Sequence, residues 1–369
     1  MRAPTIRDVA ERAGVSKSLV SLVLRGAGPV RPEKRDAVLR AARELGYRPN
    51  TAARSLSERR ARPHPADQDP ADQDPAGPGP DPSDPRTTPL VGVLLNDLRN
   101  PWFVDLLEGL GSLLDASGLR MVLADARLNR RTGQDPVDPF RDLDVDGLVV
   151  VGTLPDPAAL GEIAERIPVV LAGAREAVPP EADVVAGDDE HGTRLVTEHL
   201  IGLGHRRIAH LAGYGAVGAL RQRAFEETMR RHGLADEARV EPGDMTEEGG
   251  YRTTVRLLSR PGRPTAILAV NDITGVGALS AAEELGLRVP HDVSVTGYDN
   301  TSISRLRHLW LTTVDNAGHE VGRRAARRLL DRLEHPGGAG QVRLVTPTLE
   351  IRGTSGPPPP GSGGVTPGA

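Results

Sequence analysis

Residues 5–24 read TIRDVAERAGVSKSLVSLVL, and the spacing of their apolar positions decides how the head of the chain folds. Thr5 with Asp8 makes a capping-box signature, with Asp in the acidic position. Ile6, Val9, Ala10 and Ala13 share one side of a first helix. Gly14 suits the left-handed turn that follows, and Val15 points inward. Ser16 can cap a second helix running from about Lys17 to Leu24, with Val20, Val23 and Leu24 on its buried side. Pro32 fits the first turn of a third helix, whose apolar side is Ala37, Val38, Ala41, Ala42 and Leu45, and Gly46 ends it. Two helices joined by a tight Gly-containing turn and backed by a third make a helix-turn-helix, whose second helix fits the major groove of DNA.

Charge supports that reading. The 369-residue chain carries 46 Lys and Arg against 50 Asp and Glu, a net of -4, yet residues 1–60 alone carry +8. A basic head on an acidic body directs one end of the molecule toward a polyanion and keeps the other free of it. There is no cysteine, which excludes disulfides, thiolate metal sites and thiol nucleophiles. Aromatic residues make up only 2%, so the cores must be aliphatic. No apolar run is long enough for a membrane span, and the start of the chain has no apolar signal segment, so the expected compartment is the cytoplasm.

Lys17 and Ser18 sit at the amino end of the second helix, and Leu22 lies about a turn further along its exposed side. Lys17 can donate to guanine O6 or N7, Ser18 is permissive, and Leu22 can offer only apolar contact. Ser16, Ser21, Arg25 and Arg35 read as phosphate contacts, which position without specifying. Against this, Lys17 and Leu22 would be plain solvated helix residues. The charge of the head and the turn geometry favour DNA. Further on, Asn50 can cap a short helix presenting Arg54 and Leu56. Such a helix is marginal alone and would form against DNA or a second copy. An exposed Leu at its end can wedge into a minor-groove step. The candidate DNA contacts are therefore Thr5, Ser16, Lys17, Ser18, Ser21, Leu22, Arg25, Arg35, Asn50, Arg54 and Leu56.

Residues 61–88 are rich in Pro, Asp, Gly and Ala, with Ala66 to Pro70 repeated as Ala71 to Pro75. They offer little to bury and are expected to link domains without folding. Residues 89–355 alternate apolar runs with helix-length segments. Strands are expected at Leu90 to Leu95, Leu119 to Leu123, Gly147 to Val151 and Pro168 to Leu171, with a helix over Pro101 to Ser117. A second series has strands at Arg207 to Leu211, Ala266 to Val270 and Val293 to Thr296. Its helices are Leu220 to His232, Thr246 to Leu258 and Ile273 to Leu285. Strands alternating with helices imply parallel sheets covered on both faces, here as two α/β lobes with a cleft. Residues 356–369 read as a disordered tail.

Polar residues cluster where open sheets bind ligands, beyond the carboxyl ends of strands. Asn96 and Asp97 follow the first strand, Asn271 and Asp272 follow Ala266 to Val270, and Tyr298, Asp299 and Asn300 follow Val293 to Thr296. Arg221 opens a helix. An Arg donor among Asp and Asn acceptors suits a sugar, whose hydroxyls donate and accept. For Asp272 helix capping is favoured over ligand contact; for Arg221 and Asp299 ligand contact is favoured.

The head resembles the DNA-binding domain of the LacI/GalR family of transcriptional regulators. The matching stretches are Thr5-Ile6-Arg7-Asp8-Val9-Ala10, Ala13-Gly14-Val15-Ser16, Val20-Ser21, Gly46-Tyr47-Arg48-Pro49-Asn50 and Ala53-Arg54-Ser55-Leu56. In the body the family-like motifs are Asn271-Asp272 with Gly277-Ala278-Leu279, then Gly286-Leu287-Arg288-Val289-Pro290, Gly297-Tyr298-Asp299 and Leu311-Thr312-Thr313-Val314. The resemblance covers about residues 1–60 and 89–355. It implies an all-α helix-turn-helix domain joined to a two-lobed periplasmic-binding-protein-like α/β core. It also implies operator reading by Lys17, Ser18 and Leu22, and intercalation by Leu56. Phe103, Arg221, Asn271 and Asp299 would line an effector cleft, with Trp102 a possible stacking face. The implied partners are double-stranded operator DNA, a small effector of carbohydrate type and a second copy of the chain.

Several positions depart from the family pattern. Leu19 replaces a common Thr, and Leu22 a frequent Arg, which removes a guanine contact. Residues 61–88 intervene between hinge and core. Pro136 and Pro139 fall where the second helix of the first lobe is expected. Gly173-Ala174-Arg175 lacks an acidic residue often found there, and Ala224 stands near Arg221 where Gly is usual. An enzyme is disfavoured: no Gly-rich phosphate loop follows the first strand, no nucleophile elbow is present, and His205 and His210 lack an acidic partner at ligand spacing. No cofactor or metal is expected. A free solute-binding protein is the stronger rival for the body, but it would need export and would not carry the basic head.

Overall fold

The computed structural model describes residues 6–17, 19–20, 23, 31, 34–35, 37–38, 40–41, 89–96, 98–128, 135–152, 157–173 and 179–360. The chain divides into two units, 1–79 and 80–369.

In the first unit, helix α1 spans Ile6–Ala13. Gly14 follows at φ +63°, a conformation that costs glycine little and other residues more. The Val15 amide returns to the Ala10 carbonyl (3.0 Å), closing the turn. Ser16 then caps the next helix: its Oγ accepts from the Leu19 amide at 3.3 Å. Val9, Ala10, Val20, Val23, Val38 and Ala41 converge on one small core, with Ala13 and Val15 packed against it. These are the positions the apolar spacing selects.

The second unit holds two parallel sheets. The first lobe runs β1 (Leu90–Leu95), α2 (Trp102–Ala116), β2 (Arg120–Asp125), α3 (Asp138–Leu143), β3 (Gly147–Val151), α4 (Pro157–Ala164), β4 (Val169–Ala172) and β5 (Asp183–Gly187). The chain crosses into α5 (Asp189–Gly202), then β6 (Ile208–Ala212), α6 (Gly215–Arg231), β7 (Ala238–Pro242), α7 (Glu247–Leu258), β8 (Ala266–Ala269), α8 (Asp272–Glu284) and β9 (Ser294–Thr296). It ends with β10 (Thr313–Asp315), α9 (Gly318–Glu334), β11 (Val342–Val345) and β12 (Thr348–Glu350). Strand order is β11-β5-β4-β3-β1-β2 in the first sheet and β7-β6-β8-β9 in the second, and β10 pairs with β12 antiparallel. Because α9 and β11 return to the first sheet, the lobes are joined by three crossings, after β5, after β10 and after β11.

Apolar strands buried on both faces explain the parallel arrangement. Val91, Val93 and Leu95 face α2 and α9, while Leu94, Leu148 and Val150 face the opposite side with Phe140 and Leu160. In the second lobe, Phe225 and Met229 of α6 cover one face, and Leu257, Ala278 and Ala282 of α7 and α8 the other.

The structure adjusts several expectations. The strand at Leu119 to Leu123 lies at Arg120–Asp125, and β5, α5, β7 and α9 were not delineated by periodicity. Pro139 does not break a helix; it occupies the first turn of a six-residue α3, where its missing N–H costs nothing. Gly356, expected to open a free tail, is buried and hydrogen-bonded: its carbonyl accepts from His205 Nε2 (2.8 Å) and Ser294 Oγ (3.0 Å). Among the described residues no helix is long and apolar enough to cross a membrane.

Candidate functional site

In the first unit, Ser16, Lys17 and Arg35 are exposed. The Ser16 hydroxyl is engaged as a helix cap. The other expected DNA contacts, Thr5, Ser18, Ser21, Leu22, Arg25, Asn50, Arg54 and Leu56, lie outside the described residues.

In the second unit a cleft of about 290 Å³ opens between the lobes. Its walls are the carboxyl ends of strands, as open α/β sheets require. Asn96 follows β1, Gly152 follows β3, Gly173 follows β4 and Asp189 follows β5. Asn271 follows β8 and Asp299 follows β9. Trp102 and Phe103 enter from the first turn of α2, packed edge to face with ring centroids 5.4 Å apart. Gly173 makes that possible, because a Cβ there would stand 2.2 Å from the Trp102 ring.

Arg221 forms the floor. Its Nε donates to Asp189 Oδ1 (2.9 Å), its Nη1 to the Val270 carbonyl (2.5 Å) and its Nη2 to Asp299 Oδ1 (3.4 Å). The guanidinium also lies 3.6 Å from the centre of the Tyr298 ring. Asn316, on the crossing after β10, donates from Nδ2 to Asp299 Oδ1 (2.9 Å) and accepts from Trp102 Nε1 (2.7 Å). One amide therefore ties an aromatic of the first lobe to a carboxylate of the second. Burial pushes the Asp299 carboxyl up to about 7, against the pull of Arg221.

Six expected effector residues, Asn96, Trp102, Phe103, Arg221, Asn271 and Asp299, line this one cleft. Asn271 does so while capping α8: its Oδ1 accepts from the Thr274 amide (2.8 Å), the capping role expected of its neighbour. Asp272 is a correction, because it does not line the cleft. Its fully buried carboxylate accepts from the Thr301 amide (2.7 Å), Thr301 Oγ1 (2.9 Å) and Thr313 Oγ1 (2.5 Å). It holds the loop after β9 to the returning strand β10, and burial raises its carboxyl to about 6. Asp97 lies outside the described residues. Sequence reasoning missed Asp189, Asn316 and Tyr214. Asp189 carries a signal: the acidic run Asp188-Asp189-Glu190 directly follows the apolar strand β5.

Comparison with known proteins agrees with both units. The model of bacterial regulatory proteins of the lacI family matches residues 5–50, and that of a periplasmic binding protein-like domain matches residues 197–355. The HTH-type transcriptional repressor PurR of Erwinia tasmaniensis is 32% identical over 350 residues, covering 94% of this chain and 95% of its own. The chain belongs to the LacI family. Among solved structures, this LacI-family chain is similar to the lac repressor dimer bound to operator and the anti-inducer ONPF. The identity is 28%, the coverage 96% of this chain and 100% of that one, and the TM-score 0.65. It is equally similar to the transcriptional regulator CelR in complex with cellobiose, at 28% identity, 95% and 100% coverage and a TM-score of 0.65. A LacI-family member of this build is a sequence-specific DNA-binding regulator under small-molecule control, not an enzyme.

Proposed function

We propose that the chain is a homodimeric repressor whose operator affinity is set by a carbohydrate or related metabolite bound between the lobes. Residues 1–60 would read DNA, 61–88 link, and 89–355 bind effector and dimerise. Lys17, Ser18 and Leu22 would read each half-site of a near-palindrome, and Leu56 would wedge its centre. Two-fold symmetry of the protein would match two-fold symmetry of the site.

The observation that carries the ligand reading is the chain of contacts from Trp102 through Asn316 to Asp299, Arg221 and Asp189. It joins the lobes at the point where a bound molecule would touch both. A ligand that hydrogen-bonds Asp299 while resting on Trp102 interacts differently with open and closed lobes, which is what a population shift needs. The cellobiose complex of CelR supports a sugar, and the operator-bound dimer of the lac repressor supports the two-fold assembly.

The test is selection of bound sequences from random duplex DNA by the full-length protein, with and without candidate sugars. A two-fold symmetric motif whose enrichment changes with one sugar is expected. No enriched motif under any condition would sink the regulator reading and favour a solute-binding protein. Sedimentation showing only monomer at micromolar protein with operator present would sink the dimer.

A further inference from the structure

We propose that the cleft accepts an uncharged, donor-rich effector and excludes phosphorylated or carboxylated ones. This rests on the reading of the cleft as the effector site and narrows it to a chemical class. Among the described residues the charged groups lining the cleft are Asp189, Asp244, Glu247 and Asp299 against Arg99 and Arg221. The floor is a buried triad of two carboxylates on one guanidinium, with all three side chains at most 7% exposed. Arg221 is therefore balanced by Asp189 alone, and more than balanced as Asp299 ionises across about 7. It spends three N–H groups on Asp189, Asp299 and the Val270 carbonyl, and one face on Tyr298. It acts as a positioning residue that aims two acceptors into the cleft, not as a free cation awaiting an anion.

The rim adds to this imbalance. Asp244 is tied to Arg252 (3.5 Å) and to Thr246, whereas Glu247 makes no ion pair among the described residues. Arg99 has partners of its own. Three helix starts nearby are also engaged: Asn271 caps α8, Thr246 caps α7 and Asp188 caps α5. The starts of α2, α6 and α9 carry no side-chain cap, and α6, which bears Arg221, is where a phosphate would sit if the cleft took one. The carboxylates of Asp189, Asp244 and Glu247, which line the same cleft, repel such a group. Hydroxyl or N–H donors of a neutral ligand, in contrast, find acceptors already fixed. Phosphorylation of the effector would then end its signal.

The test uses the full chain carrying Trp310→Phe, which leaves Trp102 in the cleft wall as the one tryptophan of two. Neutral mono- and disaccharides and nucleosides are each titrated beside their phosphate esters, at up to 20 mM, reading Trp102 fluorescence and melting temperature. At least one neutral compound is expected to bind, with its phosphate ester at least about 100-fold weaker. Glu247→Gln is expected to narrow that gap. A phosphate ester binding as well as or better than its neutral parent would overturn the charge inference and leave the effector reading standing. No response to either member of any pair would overturn the effector reading, and this inference with it. Isothermal titration of the unsubstituted chain with the best responder guards against an effect of the Trp310 substitution.

Discussion

At Asp299 a backbone φ of +107° coincides with a buried carboxyl. Non-glycine residues held there cost roughly 1–3 kcal/mol, and such strain persists only where surrounding structure imposes it. With burial raising it to about 7, the carboxyl ionises across neutrality, where the unfolded chain has already lost its proton. Asp272 is raised likewise, to about 6. The stability tied to these two groups is therefore fully present below the ordinary carboxylate range and is lost as pH rises through 6 and then 7. Asp299→Asn, which keeps an acceptor for Asn316 but never ionises, should raise the melting temperature at pH 8 relative to the parent and flatten its pH dependence. The same variant should lose effector binding by calorimetry. An unchanged affinity would remove Asp299 from the site. Asp272→Ala should behave oppositely, costing about 3 kcal/mol in urea unfolding because Thr301 and Thr313 lose a buried acceptor. Effector affinity of its folded fraction should be nearly unchanged.

Among the elements, two helix pairs approach closely through glycines. A Cβ at Gly109 of α2 would stand 2.0 Å from the His319 carbonyl oxygen, and one at Gly322 of α9 would stand 2.1 Å from that of Leu106. In the second lobe, Gly277 of α8 and Gly250 of α7 stand in the same relation to the carbonyls of Glu247 and Thr274. Backbone cannot yield as a side-chain tip can, so Gly109→Ala should force α2 from α9 and cost about 2–3 kcal/mol in denaturant unfolding. A loss below 0.5 kcal/mol would mean the helices slide apart freely. Because α2 carries Trp102 and Phe103, effector affinity should fall as well. In the head, Ser16→Ala removes the cap on the Leu19 amide and should cost about 1 kcal/mol of helix stability, read by circular dichroism of the full chain at high protein concentration.

For the whole molecule, the effector and the operator are linked through one equilibrium. Whatever factor the effector imposes on operator affinity, operator must impose on effector affinity. Titrating effector into the protein with and without saturating operator should return that same factor. A factor of one in both titrations would mean that effector and operator are not coupled through the protein. Leu56→Ala should reduce operator bending in a permuted-fragment gel assay while sparing nonspecific binding. Unchanged bending would contradict the wedge role.

Local chemistry determined much of this. The head's turn is written in Gly14 and Ser16, because a left-handed residue and a cap are properties of single side chains. The parallel sheets are written in runs such as Leu90–Leu95 and Gly147–Val151, because only strands covered on both faces are apolar at every position. The carboxyl ends of those strands in turn pointed to Asn96, Arg221, Asn271 and Asp299. Asp272 and Asn271 could not be told apart, since both are short polar residues at a helix start, and which one turned into the core depended on Thr301 and Thr313 arriving from distant segments. Asp189 and Asn316 were hidden for the same reason. They sit on the crossings between lobes, where position is set by how two sheets close on each other rather than by neighbours in sequence. The surplus of carboxylate over guanidinium in the cleft is likewise a tertiary property, because its members come from three helices and three loops and only packing brings their charges together.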